Sequence, residues 1–259
     1  MDVLLVGCGK MGGALLAQWL RNDAASFTVV DPVAQSVPEP ATLFGSVDEL
    51  GTRTFDVIVV AVKPQMIDDV MPAYKSHLAG SGLIASIAAG YAVDRLRALF
   101  DTDLIVRIMP NLPAQIGKGV SGLYATSALT AAQRAQIDSL MQLAGRLVWV
   151  DDEDALDRVT AIAGSGPGYV FEIARCFVES AISLGFSEAQ ARDLVLETMA
   201  GTIDMARSSQ ESLETLRNNV TSKNGVTQAG LEQFHHDDRL MKLFEDVTRV
   251  AYERAVELR

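Results

Sequence analysis

The segment VTSKNGVTQAGL, residues 220–231, places three hydroxyls, Thr221, Ser222 and Thr227, around an Asn-Gly turn and leads into a stretch with helical apolar spacing. It contains no His, Cys, Asp or Glu, so neither an acid–base pair nor a metal centre can be assembled from it. It does have the form of a loop feeding a helix N-terminus, where unpaired backbone N–H groups gather and hold anions. The chemistry to expect there is anion capture near Gly225, Val226 and Thr227, with a hydroxyl as the only side-chain hydrogen-bonding group.

The customary catalytic residues are poorly placed elsewhere. His77 closes a helical stretch, and His235 and His236 precede DDRL at a helix end, so all three read as surface or capping residues. No lysine occurs between Lys118 and Lys223, and no His/Cys/Asp/Glu grouping has the spacing of a metal site.

A second constellation lies at the N-terminus. In GCGKMGGA, Gly7, Gly9 and Gly12 satisfy G-x-G-x-x-G directly after an apolar strand pattern and at the start of a helical one. Gly7 permits the tight turn, Gly9 lets backbone approach a pyrophosphate, and Gly12 allows close helix–strand packing. Cys8 fills a variable position and reads as a small buried side chain rather than a reactive thiol. Asp31 ends the next strand pattern, 19 residues after Gly12. A carboxylate there either accepts hydrogen bonds from an adenosine ribose, which favours NAD and repels a 2′-phosphate, or simply ends the strand. No Arg or Lys lies between Asp31 and Arg53 to bind such a phosphate.

Further strand ends supply Lys63 in AVKPQ and Asn111 in MPNLPAQIGKG. Lys63 is either a surface lysine or a cation at the edge of the crevice near cofactor oxygens. Asn111, stiffened by flanking prolines, either aims its amide at a nicotinamide or braces a rigid crossover loop.

The elements that must position these residues fall into two halves. Apolar, β-branched runs at 2–7, 27–31, 55–62, 82–88, 103–109 and 146–150 read as strands separated by helical stretches, with 119–126 as an added edge strand. Strand–helix alternation with near-continuously apolar strands means a doubly wound, mainly parallel α/β sheet covered on both faces. From DDED (151–154) onward the pattern is helical: 152–163, 167–184, 187–207, 225–235 and 239–258. The expected domains are a dinucleotide-binding domain, 1–150, and an all-α domain, 151–259. Small residues in AGSGPGYVF, with Pro167 in a first helical turn, open a helix so apolar that it belongs in a core or between subunits.

Composition narrows the classes. Of 259 residues 49% are hydrophobic and 21% charged, as in an ordinary globular protein. A net charge of −11 with no basic stripe argues against nucleic acid and anionic membranes as partners. Two cysteines form no disulfide framework, no apolar run approaches a membrane span, and no signal-peptide pattern opens the chain, so the cytoplasm is the expected location.

Taken together, GCGKMGGA, AVKPQ, RIMPNLPAQIGKG, AGSGPGYVF and LRNNVTSKNGVTQAGL, in this order and spacing, give a chain that resembles the Δ1-pyrroline-5-carboxylate reductase family along essentially its whole length. The resemblance implies a Rossmann domain followed by a helical dimerisation domain, a homodimer or higher homo-oligomer, and reduction of the cyclic imine 1-pyrroline-5-carboxylate to L-proline with NADP or NAD as cofactor. It implies cofactor contacts from Gly7, Cys8, Gly9, Lys10 and Met11 and from Ala61, Val62, Lys63 and Pro64. It also implies substrate contacts from Asn219, Val226 and Thr227. The anion held at Gly225–Thr227 would be the substrate carboxylate, and Thr227 would hydrogen-bond the ring nitrogen without acting as a strong acid. Where the family commonly reads V-T-S-P-G-G-T-T, this chain has Lys223, Asn224 and Val226 at the fourth, fifth and seventh places and keeps Thr227 at the eighth. Upstream it lacks the usual His-Pro and has Asn218 where Asp is usual. Two rivals share the element plan: a β-hydroxyacid dehydrogenase-like or other imine reductase, and a non-catalytic NAD(P)-sensing protein. Carbonyl reduction needs a proton donor for the alkoxide, which the missing lysine does not supply.

Overall fold

A computed structural model describes residues 1–259. Eight strands, β1 (Asp2–Val6), β2 (Ser26–Val30), β3 (Thr42–Phe44), β4 (Phe55–Val60), β5 (Leu78–Ser86), β6 (Ile105–Met109), β7 (Gly119–Ala125) and β8 (Gly145–Trp149), form one sheet. Their order is β3-β2-β1-β4-β5-β6-β7-β8, and only the β6–β7 pair is antiparallel. The central strands are apolar throughout because successive side chains enter two different cores. Val3, Leu5, Val57 and Val59 enter one, and Leu4, Val6, Ile58 and Val60 the other. Helices α1 (Lys10–Trp19), α2 (Ile67–Val70), α3 (Val93–Phe100) and α4 (Ala131–Met141) supply the outer layers. Leu15, Leu16, Trp19, Ile137 and Leu140 from α1 and α4 close the first core. Ile67, Val93, Leu96 and Phe100 from α2 and α3 close the second.

One strand expectation is corrected, and one strand was not foreseen. Residues 119–126 are not an edge: β7 is interior, antiparallel to β6 and parallel to β8, so β8 takes the edge. The other edge is β3, three residues too short to leave a periodic signal. His77 does close a 3₁₀ turn, Met71–His77, but it is buried rather than on the surface, with Nδ1 2.8 Å from the Arg53 carbonyl oxygen.

Downstream lie α5 (Glu153–Val159), a π-helical turn (Thr160–Gly164), α6 (Gly166–Ser183), α7 (Glu188–Ser208), α8 (Leu213–Asn219), α9 (Val226–His235) and α10 (Arg239–Glu257). Asp152 caps α5, and Ser187 with Gln190 forms a capping box on α7. The short α8, capped by Ser212, is absent from the apolar pattern of the sequence.

The chain divides into two compact units, 1–167 with 250–259, and 168–249. The first extends past residue 150 because α5 and the end of α10 pack on the sheet domain. Glu153 accepts from Arg107 at 2.5 Å and from the Val93 N–H at 3.0 Å, and the Tyr252 hydroxyl donates to Asp154 at 2.6 Å. In the second unit the buried core is small, Ala181, Ala191 and Val195. Meanwhile Val170, Phe171, Ile173, Phe177, Ile182 and Leu184 on and just after α6 are exposed, so that apolar helix does not belong to a core within one chain.

Candidate active site

In a doubly wound sheet the ligand crevice lies outside the carboxyl ends of the strands where the order reverses, here between β1 and β4. Pairing continues one residue past the strands, from the Gly7 N–H to Val30, from Ala61 to Val6 and from Ile87 to Val60, so the loops leave at one level. Gly7 has φ +93°, and a Cβ there would lie 2.9 Å from the Ala61 carbonyl. A Cβ on Gly12 would meet the Gly7 oxygen at 2.5 Å, whereas one on Gly9 would meet nothing within 4 Å. The loop is thus compressed on its protein side and open above Gly9. Helix α1 starts at Lys10 with no side-chain cap, and the N–H groups of Lys10, Met11 and Gly12 have no protein acceptor. This arrangement fits a dinucleotide pyrophosphate.

Asp31 is woven into the same loop. One carboxylate oxygen accepts the Cys8 N–H at 2.6 Å, and the other accepts Val33 and Ala34 at 2.8 and 3.1 Å. Burial works to raise its pKa, but the N–H groups of Cys8, Val33 and Ala34 outweigh it and hold the carboxyl below its ordinary value. A carboxylate offers about four lone-pair positions; three are used here, leaving room for a ribose hydroxyl. Burial, followed by the Asp31 charge, pushes the Cys8 thiol up, so it stays protonated and is no nucleophile. Lys63 is exposed and precedes the 3₁₀ turn Pro64–Met66, with Pro64 in its first turn as expected.

Asn111 sits differently. It is buried, its amide nitrogen donates to the Ala163 carbonyl at 2.9 Å, and its oxygen accepts the Val120 N–H at 2.9 Å. Both ends of the side chain brace the loop against β7 and the π-helical turn, which favours the bracing role over contact with a nicotinamide.

In the second unit, Asn224 adopts a left-handed conformation, φ 60°, and α9 begins at Val226 after Gly225 with no side-chain cap. The N–H groups of Val226, Thr227 and Gln228 have no protein acceptor, and Val226 and the Thr227 side chain are exposed. Thr221 is structural, its hydroxyl donating to the Arg217 carbonyl at 2.7 Å. Asn219 donates to Glu211 at 3.3 Å and is exposed. Sequence reading missed Gln228, whose side-chain oxygen accepts the Asn224 N–H at 2.8 Å while its amide nitrogen donates to Glu232 at 3.1 Å. The i to i+4 spacing of Asn224 and Gln228 across a helix start was the available signal. With Arg217, Asn218, Thr221, Leu231 and His235, Gln228 and Glu232 line a cleft of about 250 Å³.

A glycine loop at the switch point of a mainly parallel sheet, followed in the chain by helices that leave an apolar face uncovered, defines a dinucleotide-dependent oxidoreductase with a helical assembly domain. Residues 153–258 match the pyrroline-5-carboxylate reductase dimerisation family, and residues 2–90 match the family described as NADP oxidoreductase coenzyme F420-dependent. The pyrroline-5-carboxylate reductase of Pseudomonas aeruginosa is 36% identical, over 99% of this chain and 96% of its own length. A solved pyrroline-5-carboxylate reductase from Coxiella burnetii superposes with a TM-score of 0.89 at 29% identity, covering 99% of this chain and 97% of that one. The Plasmodium falciparum pyrroline carboxylate reductase, solved with NADP bound, shares the fold with a TM-score of 0.88 at 24% identity, covering 100% and 98%. The chain belongs to the pyrroline-5-carboxylate reductase family. No helix is long and apolar enough to cross a membrane.

Proposed function

We propose that this chain reduces the C=N bond of 1-pyrroline-5-carboxylate to give L-proline, with NADH or NADPH as reductant. The observation that carries this reading is the start of α9: three unpaired N–H groups and one exposed hydroxyl, with no acid or base among residues 224–231. A cyclic imine is readily protonated, and the iminium is already electrophilic, so the protein has mainly to hold and orient it. The reduced nicotinamide supplies the hydride when bound. The amides of Val226, Thr227 and Gln228, following Gly225, hold the substrate carboxylate. The Thr227 hydroxyl, the group assigned to catalysis, hydrogen-bonds the ring nitrogen, and Asn219 adds a polar contact.

Gly7 to Met11 receive the pyrophosphate on backbone N–H groups, and Ala61 to Pro64 border the coenzyme with Lys63 supplying a cation. The remaining lone pair of Asp31 takes a ribose hydroxyl, which tilts preference toward NADH. Residues 1–150 serve the coenzyme; residues 151–259 carry the substrate loop and assemble a homodimer through the exposed face of α6. Two unpaired thiols and a reductive reaction suit the cytoplasm.

Oxidation of NADH and of NADPH, followed with pyrroline-5-carboxylate beside a panel of keto acids, tests the reading. Turnover with the imine alone is expected. Activity confined to keto acids, or to neither, would overturn it.

A further inference from the structure

Two crevice-side loops, those leaving β4 and β5, are joined by side chains that the reaction itself does not use. Tyr91, 1% exposed, follows the β5 loop, and its hydroxyl donates to Asp68 Oδ1 at 2.5 Å. Asp68 belongs to α2, which continues directly from Ala61–Pro64 through the turn Pro64–Met66. The other Asp68 oxygen lies 2.5 Å from Arg95 Nη2 on α3, and the Arg95 guanidinium sits 4.2 Å from the Tyr91 ring centroid. A buried phenol needs a hydrogen-bond partner, and Asp68 provides it. Burial first, then the bond to Asp68, pushes the phenol up to about 12, so it is a hydrogen-bond donor throughout the neutral range.

The Tyr91 end of this linkage is rigid. Gly90 has φ +71°, and a Cβ there would stand 2.3 Å from the Leu258 carbonyl oxygen, so the end of α10 fixes the β5 loop from outside. Below it, Ile67, fully buried, anchors α2 in the second core.

The geometry points to Asp68, Tyr91 and Arg95 as a clasp that sets the shape of the Ala61–Pro64 loop for the coenzyme, with Tyr91 and Asp68 as positioning residues for NAD(P)H binding. This rests on the reading above that the crevice holds NAD(P)H. A bond that served stability alone would lower the melting temperature without separating coenzyme from imine.

The test uses the full chain: wild type, Tyr91→Phe, Asp68→Asn, Asp68→Ala and the double variant Tyr91→Phe/Asp68→Ala. Kd for NADH is read by fluorescence titration, with KM for each substrate, kcat and Tm alongside. Tyr91→Phe keeps the ring packing and should raise Kd and KM for NADH about three- to tenfold, the range of one net hydrogen bond. KM for the imine and Tm should stay close to wild type. Asp68→Asn, which keeps an acceptor for the phenol, should fall between wild type and Asp68→Ala. The double variant should be no worse than Asp68→Ala, because the Tyr91–Asp68 bond is already gone in Asp68→Ala, along with the Arg95 pair. An unchanged NADH Kd in Tyr91→Phe overturns the clasp while leaving the crevice assignment intact, and so does a fall in Tm with both KM values rising together. A wild-type protein that binds neither NADH nor NADPH overturns the crevice assignment and the clasp with it.

Discussion

At the scale of single residues, the proposed function assigns the imine to Thr227 and the choice of coenzyme to Asp31. If the Thr227 hydroxyl meets the ring nitrogen, Thr227→Val should lower kcat/KM for pyrroline-5-carboxylate roughly ten- to a hundred-and-fiftyfold, the value of one hydrogen bond to a charged group at about 1.5–3 kcal/mol. Dinucleotide Kd should be unchanged. Normal steady-state kinetics in this variant would reduce the α9 start to a plain helix terminus and shift the nitrogen contact to Asn219. Asp31 accepts from Cys8 of the glycine loop on one oxygen and from Val33 and Ala34 of its own loop on the other. Asp31→Ser should therefore do two things: relieve repulsion of a 2′-phosphate, raising the NADPH/NADH ratio of kcat/KM about fivefold to a hundredfold, and loosen the glycine loop through the lost Cys8 N–H bond. A constant ratio with a lowered Tm would leave Asp31 a purely structural carboxylate.

Elements transmit these roles through their ends. The left-handed Asn224 is pinned by the Gln228 side chain, which leaves the first-turn amides of α9 pointing free of protein acceptors. Gln228→Ala should raise KM for the imine about two- to tenfold, one net hydrogen bond of loop order, while NADH binding holds; an unaffected imine KM would show that the turn keeps its shape unaided. At the other end of the helical region, Asp157 of α5 is buried, with Arg259 Nε 2.9 Å away but out of hydrogen-bonding alignment. Burial raises its pKa above 3.8, against the pull of Arg259 and Arg107. For a carboxyl raised on folding, the stabilising contribution is complete below the unfolded value and is lost as pH climbs through the folded one. Thermal melts of Asp157→Asn against wild type should consequently shift in favour of the variant between pH values below 3.8 and neutrality. A gap that moves the other way would mean that the Arg259 pairing dominates.

For the whole molecule, the uncovered face of α6 is the decisive feature. Phe171 at 61% and Phe177 at 51% exposure are large apolar side chains without a core of their own, in a unit whose buried cluster is three small residues. The match of this region to a dimerisation family supports a homo-oligomer, and a second copy is the occupant proposed for this face. Phe177→Asp should convert the assembly to monomer or aggregate, since an unpaired carboxylate in a closed apolar interface is costly. Sedimentation of wild type as a stable monomer at micromolar concentration would remove the dimer from this account.

What the sequence determined alone is whatever depends on near neighbours in the chain. Gly7, Gly9 and Gly12 follow a strand and open a helix, and the turn leaves no room for a Cβ at Gly7 or Gly12; Asp31 ends the next strand; Gly225 precedes a helix start. All of these are local steric and periodic facts, so they were legible residue by residue. Tertiary structure decided the pairings of distant groups. The Asn111 amide is claimed by Ala163, 52 positions on, and the His77 ring by the Arg53 carbonyl, 24 positions back. β7 turned out to be interior and antiparallel because strand order is set by which edges pair, a matter on which a seven-residue pattern is silent. The apolar run of α6 reads the same whether it faces its own chain or another. Only the three-dimensional placement of its neighbours shows that its large apolar side chains find no cover within their own unit.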